Sequence, residues 1–312
     1  MQQLGTGVPA EDIQFRIEIA KADSSTVKTA ETAAQQGGFR LAAPLMEFNV
    51  TAAYNDRTVA IESFSAYVER TIALPAGTDS YKITTGVVIE ADGSTRHVPT
   101  KITLRNGIYY ARINSLTNSA YTVVWHPLEF ADVANHWSKT SVNDMGSRMV
   151  INGISDGFFA PDEDINRAEF AAVVVRALGL KPGVGTGSFI DVQDNDWYAP
   201  VVKTAAGYGL ISGYEDRTFR PNAKITREEA MVLVSRAMKL TGLSAAGNPS
   251  VLAEYSDAAK IADWAKEAAA ASISTGLVSG RNQAELAPQE MITRAETAVI
   301  IRRLLKASDL IS

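Results

Sequence analysis

Three tryptophans set the register of the C-terminal half of this chain. Counting from Trp137, Trp197 and Trp264, a glycine follows 16 residues later in each case (Gly153, Gly213, Gly280). A proline follows at 24 residues (Pro161, Pro221, Pro288) and an arginine at 30 (Arg167, Arg227, Arg294). Four landmarks held in one register three times over mark an internal repeat, a stronger constraint than any single short motif. An aromatic residue and an aspartate precede each tryptophan: Phe130 and Asp132, Phe189 and Asp191, Tyr255 and Asp257. Gly- and Ser-containing linkers at 181–188 and 241–250 separate the copies.

Each copy reads as helix, loop, helix. The first helix runs from the tryptophan toward the glycine, and the loop carries the glycine and proline. The second helix opens at the arginine, with an apolar stripe at helical spacing (in the first copy Phe170, Val173, Val174, Ala177 and Leu178). Two short helices bury little alone, so the copies are expected to share one core, and three equivalent copies suggest a pseudo-threefold arrangement.

Before Pro127 the pattern is different. Runs such as "FRIEIA" (15–20), "TVAIESFSAYVERTIAL" (58–74) and "YYARINSLTNSAYTVVW" (109–125) alternate apolar and polar residues, with turn signals "YND", "ADGS" and "RNG" between runs. That spacing predicts a β-sandwich. Residues 21–38, polar and Ala-rich, read as a loop or a short helix. The expected fold is therefore multi-domain α+β, an all-β sandwich followed by an all-α pseudo-threefold bundle. Its expected boundaries are a tail at 1–10, the sandwich at 11–127, and repeats at 128–187, 188–250 and 251–312.

The arginines stand inside "INRAE" (165–169), "ITREE" (225–229) and "ITRAE" (292–296). Thr226 with Glu229 and Thr293 with Glu296 form the S/T-x-x-E capping box, and Asn166 with Glu169 is a variant of it. The isoleucines can pack back onto the first turn as staples. A cation at this end of a helix opposes the macrodipole, at about 0.3–1 kcal/mol if exposed. Pairing with Asp164 or Glu228 would explain it locally, but neither acid is repeated. Free helix N–H groups beside a guanidinium instead suit a carboxylate or phosphate.

The tryptophans have a plain reading as core residues, and a second one as platforms for a sugar ring. Gly153, Gly213 and Gly280 read either as helix C-caps needing positive φ or as bare backbone that a ligand approaches closely. Arg176, Arg236 and Arg303, nine residues beyond the motif arginines, are expected in internal ion pairs.

Composition narrows the function classes. Without cysteine there are no disulfides and no thiolate metal site or nucleophile, and three histidines are too few for a His-based centre. A net charge of −5 argues against nucleic acid. No apolar run is long enough for a membrane span. "PDEDINRAE" lacks the calcium-loop spacing, and its acids are not kept in the other copies. Glu47, Asp56, Glu62 and Glu69 are carboxylates in the β half, and nothing singles out two of them for glycoside hydrolysis. The opening residues have neither a basic stretch nor an apolar core, so no signal peptide is visible. The chain is then either cytoplasmic or part of a longer exported protein. No catalytic residue, metal site or cofactor is expected.

The pattern "FADVANHW…INGISDGFFAPDEDINRAEF…VRALGL", with its counterparts "FIDVQDNDW…ISGYEDRTFRPNAKITREEA" and "YSDAAKIADW…VSGRNQAELAPQEMITRAE", resembles the S-layer homology repeat over roughly 128–312. The first half is similar to the Ig-like segment that sometimes precedes such repeats. The resemblance implies a non-catalytic, extracellular module on the cell wall of Gram-positive bacteria. Its implied partner is a pyruvylated secondary cell-wall polymer, a peptidoglycan-linked glycan bearing pyruvylated N-acetylmannosamine, held in grooves between repeats. It further implies a monomer with an intramolecular pseudo-trimer and no membrane insertion. The glycan-binding residues it implies are Arg167, Arg227 and Arg294, with Gly153, Gly213, Gly280, Trp137, Trp197 and Trp264. Glu228, beside Arg227, is expected to compete with the ligand and weaken that groove. The alternative is the C-terminal fragment of a surface glycan-degrading enzyme whose β domain assists substrate handling.

Overall fold

The computed structural model describes residues 9–185, 187–244 and 248–312. Most of the tail expected at 1–10 and parts of both linkers lie outside these residues. The chain divides into two compact units, Met1–Pro127 and Leu128–Ser312.

The first unit holds two antiparallel sheets. The larger contains β1 (Gln14–Lys21), β3 (Met46–Tyr54), β10 (Ala120–Trp125), β6 (Thr85–Ile89) and β7 (Thr95–Val98) in that order. Short strands β2 (Arg40–Leu41) and β4 (Arg57–Ala60) join it on β10 and β3. The smaller is β5 (Ser63–Ala73), β9 (Ile108–Thr117) and β8 (Thr100–Arg105). Phe48, Val88, Val98, Tyr121 and Val123 of the first sheet meet Ile72, Ala111 and Ile113 of the second in one buried cluster. The expected β-rich unit is thus present, though it is not all-β. Residues Ser24–Gly37 form helix α1, because Asp23 accepts the Thr26 N–H at 2.8 Å as an N-cap and Gly38 ends the helix at φ 67°. Ala30, Ala33 and Ala34 give it a buried face.

The second unit corrects the expected all-α pseudo-threefold bundle. Its helices are short: α2 (Lys139–Ser147), α3 (Arg167–Ala177), α4 (Ala199–Gly207), α5 (Arg227–Thr241), α6 (Lys266–Ser274) and α7 (Arg294–Ala307). Loops and 3₁₀ turns fill much of the rest, and the motif segments are joined by extended backbone. Isolated β-bridges link Asp164 to Thr293, Asn166 to Lys224 and Thr226 to Met291. The Ile165 N–H donates to Ile292 O (3.1 Å), Ile225 to Ile165 (3.3 Å) and Ile292 to Ile225 (3.1 Å). All three isoleucines are buried, so they anchor the junction between copies as well as their own helix starts. Helical periodicity does not reveal such bridges, since each is a single pair between distant segments. Helix packing also crosses copies: α3 lies against α4, α5 against α6, and α7 against α2. At the last of these, Asp144 of α2 accepts from both Arg148 (2.8 Å) and Arg302 of α7 (2.6 Å).

Candidate functional site

The three capping boxes are complete, with Asn166, Thr226 and Thr293 each accepting the N–H three residues on. The N–H groups ahead of that are not free, however. Arg167 and Ala168 donate to Ala223 O and Pro221 O, Arg227 and Glu228 to Glu290 O and Pro288 O, and Arg294 and Ala295 to Glu163 O and Pro161 O. Each helix start is therefore closed by the proline loop of another copy, and the expected anion pocket of helix N–H groups does not form.

The same loops receive the arginine side chains. Nε of Arg167, Arg227 and Arg294 donates to the carbonyls of Phe219, Leu286 and Phe159 at 2.8–2.9 Å. Those loops are themselves clamped: Asp132, Asp191 and Asp257 each accept two consecutive N–H groups, ending at Ala160, Arg220 and Ala287. These three non-glycine residues adopt φ of 56–58° just before the prolines. A left-handed conformation of this kind persists where its surroundings enforce it.

The junctions then diverge. Nη1 of Arg167 pairs with Glu229 at 2.7 Å, and Nη1 of Arg227 with Glu296 at 2.6 Å. The capping glutamate of one copy thus also neutralises the arginine of the copy before it. The sequence alone assigns that glutamate to the cap, although its presence in all three motifs is the signal that could reveal the second role. Arg294 makes no ion pair among the described residues; its Nη2 donates to Asn152 O at 2.8 Å. Glu169, the corresponding acid, accepts only its own cap N–H among the described residues, and it raises the Arg294 pKa against the larger lowering by burial.

Two grooves collect most of the expected site residues. One, of about 430 Å³, is lined by Gly153, Ile154, Glu169, Arg176, Trp197 and Arg294, among others. The other, of about 690 Å³, includes Trp137, Asp162, Asp164, Arg227, Gly280, Arg281, Glu296 and Arg303. Each takes its tryptophan, glycine and arginine from three different copies. At the remaining junction Tyr214 stacks 4.8 Å from the Arg167 guanidinium and donates to Glu229 at 2.9 Å. Gly213 and Trp264 line neither groove described.

Several residue roles differ from expectation. The tryptophans sit one residue ahead of the N-caps and are 66%, 58% and 60% exposed, so they are not core. None of Gly153, Gly213 and Gly280 has positive φ. A Cβ at Gly153 would lie 2.5 Å from Phe158 O and one at Gly213 2.5 Å from the Phe189 ring, so tight packing requires the glycine. The residues with left-handed φ that end the first helix of each copy are Met149, Gly209 and Gly276. Glu228 does not pair with Arg227: buried, it accepts the Ala262 N–H (2.9 Å) and the Gln289 amide (2.7 Å). Arg236 and Arg303 donate to Leu210 O and Leu277 O and not to acids. In the first unit Glu69 is paired with Arg112 at 2.6 Å.

The family model described as S-layer homology domain matches residues 129–171, 188–231 and 254–298, one span per copy. The second unit carries three S-layer homology repeats. Similar proteins include the amylopullulanase of Thermoanaerobacterium thermosulfurigenes, 30% identical over 77% of this chain and 13% of its own length. Exoglucanase XynX of Acetivibrio thermocellus is 32% identical over 62% of this chain and 18% of its own. The surface-layer 125 kDa protein of Lysinibacillus sphaericus is 30% identical over 55% and 14%. The chain thus spans less than a fifth of each of these relatives. S-layer homology domains anchor proteins to the cell wall, and the relatives bearing them include cell-surface proteins and glycan-degrading enzymes. Among the described residues no helix is long and apolar enough to cross a membrane.

Proposed function

We propose that this chain anchors an exported protein by holding an acidic, pyruvylated wall polysaccharide in the groove of Gly153, Trp197 and Arg294. The observation that carries the reading is the state of Arg294. Its guanidinium reaches the groove with no acid paired to it, whereas Arg167 and Arg227 are neutralised by Glu229 and Glu296. A ketal-pyruvate carboxylate accepts two N–H bonds from such a group, and charge-assisted bonds of this kind are the strong ones. Arg176, with its pKa lowered by burial, adds a second cation to the lining. The exposed Trp197 ring offers a face for the sugar. In the larger groove Arg227 and Arg281 share Glu296, so this site is the weaker of the two. One chain supplies every residue of both grooves.

Co-sedimentation with purified walls tests the proposal: binding is expected with polymer-bearing walls and is lost once the polymer is extracted. Retention by stripped walls would overturn it. The names of the amylopullulanase and exoglucanase relatives support a second reading, in which the β unit belongs to a surface enzyme and assists substrate handling. Release of sugars from polysaccharide by this chain would favour it.

A further inference from the structure

Strand β1 ends the larger sheet, and among the described residues it pairs only with β3. Phe15, Ile17 and Ile19 lie opposite Ala52, Val50 and Phe48, so they share the sheet face that carries the core. Phe48 and Ala52 are buried, yet Phe15, Ile17 and Ile19 are 56%, 68% and 58% exposed. Among the described residues nothing buries these three side chains, so the second sheet does not cover this edge of the larger one. Single exposed apolar residues are ordinary, but an apolar row on an open strand edge is a template for pairing that proteins usually block.

The charges on the strand say what fits there. Arg16 and Glu18 flank Ile17 on the opposite face, 3.8 Å apart and largely exposed. We propose that β1 is a self-association edge, on which two copies of this chain pair their β1 strands antiparallel about Ile17. This register sets Ile17 against Ile17, Phe15 against Ile19, and Arg16 against Glu18 of the second copy, with each relation repeated by symmetry. Opposite charges and aromatic–aliphatic pairs directly across strands are favourable, and like charges are not. Centring the pair on residue 16 or 18 instead sets Arg16 against Arg16 or Glu18 against Glu18. Centring on 15 or 19 leaves both charges without an opposite charge across. Slipping by one residue sets the apolar face against the charged one. Of these registers, only the one about Ile17 satisfies both faces. One strand edge is small beside the roughly 1,200–2,000 Å² of a stable interface, so the dimer is reversible.

Sedimentation equilibrium of the chain over a range of concentrations tests the proposal. The mass is expected to rise from 33.5 kDa toward twice that value. Arg16→Glu and Glu18→Arg are each expected to weaken self-association by about tenfold, since each creates two like-charge pairs in the homodimer. An equimolar mixture of the two variants is expected to recover the wild-type affinity, because both glutamates of the first variant then face arginines of the second. Both side chains are exposed, so both variants should fold, which circular dichroism checks. A chain that stays at 33.5 kDa throughout overturns the proposal. So does association that neither variant weakens, or a mixture no tighter than its components.

Discussion

Nη1 of Arg227 donates to the Glu296 carboxylate at 2.6 Å, joining the residue that opens α5 to the residue that caps α7. Arg227 is almost fully buried and also serves the carbonyls of Leu286 and Ser279. Removing one partner of a buried pair leaves the other charge uncompensated, so Arg227→Ala should destabilise the second unit by about 3 kcal/mol. Arg294→Ala breaks no ion pair and should cost about 1–2 kcal/mol through its two carbonyls. Urea denaturation of the two variants measures the difference, and equal losses would contradict the distinction between the junctions.

Gly213 is held by space and not by its φ. An added Cβ would meet Thr218 O at 2.6 Å as well as the Phe189 ring, and a backbone oxygen cannot move aside as a flexible side chain can. Gly213→Ala should therefore destabilise by about 1–3 kcal/mol. A thermal midpoint within a degree of wild type would show that the loop relaxes freely.

Met149 follows the C-cap of α2 at φ 64°, where the other copies have Gly209 and Gly276. Glycine adopts this conformation without the Cβ penalty. Met149→Gly should stabilise the second unit by about 0.5 kcal/mol, visible as a rise of about 1–2 °C in its melting temperature. A fall would mean that the methionine side chain contributes more packing than its backbone costs.

Acid should loosen the second unit. Burial pushes the Glu296 pKa up, but hydrogen bonds from Arg281 and the charge of Arg227 outweigh it and leave it below the ordinary value. Asp257 is likewise depressed, with burial outweighed by the N–H groups of Leu286 and Ala287. Bonds from Thr218 and Arg220 hold Asp216 at about 2. A depressed folded-state pKa gives stability that is complete above the unfolded value and is lost as pH falls through the folded one. Stability should thus decline from about pH 4 toward pH 2. A flat urea midpoint across that window would contradict these assignments.

What was legible in the sequence was whatever repeats. The tryptophan, glycine, proline and arginine landmarks located all three copies, and the capping boxes formed as read. What stayed hidden were relations between copies. Spacing within a copy cannot say that Arg227 reaches Glu296 or that Pro221 O receives an N–H from Ala168. For the same reason Glu228 looked like a competitor for Arg227 by adjacency, while the fold turns it toward Ala262. In the first unit, alternation announced strands, while the polar composition of α1, whose buried residues are three alanines, left its segment open between loop and short helix. The divergence of the grooves rests on Tyr214 and Arg281, which occupy one repeat position with unrelated chemistry, where Ile154 stands in the first copy.

Calorimetric titration of the chain and its Arg294→Ala variant with a synthetic pyruvylated amino sugar tests the central claim most directly. The account predicts binding by the wild-type chain and a loss of about 10–100-fold in the variant, the scale of one charge-assisted bidentate contact. The same sugar without its pyruvyl carboxylate should bind no better to the wild type than the acidic sugar does to the variant. Undiminished affinity in Arg294→Ala, or equal affinity for the sugar without its carboxylate, would contradict it.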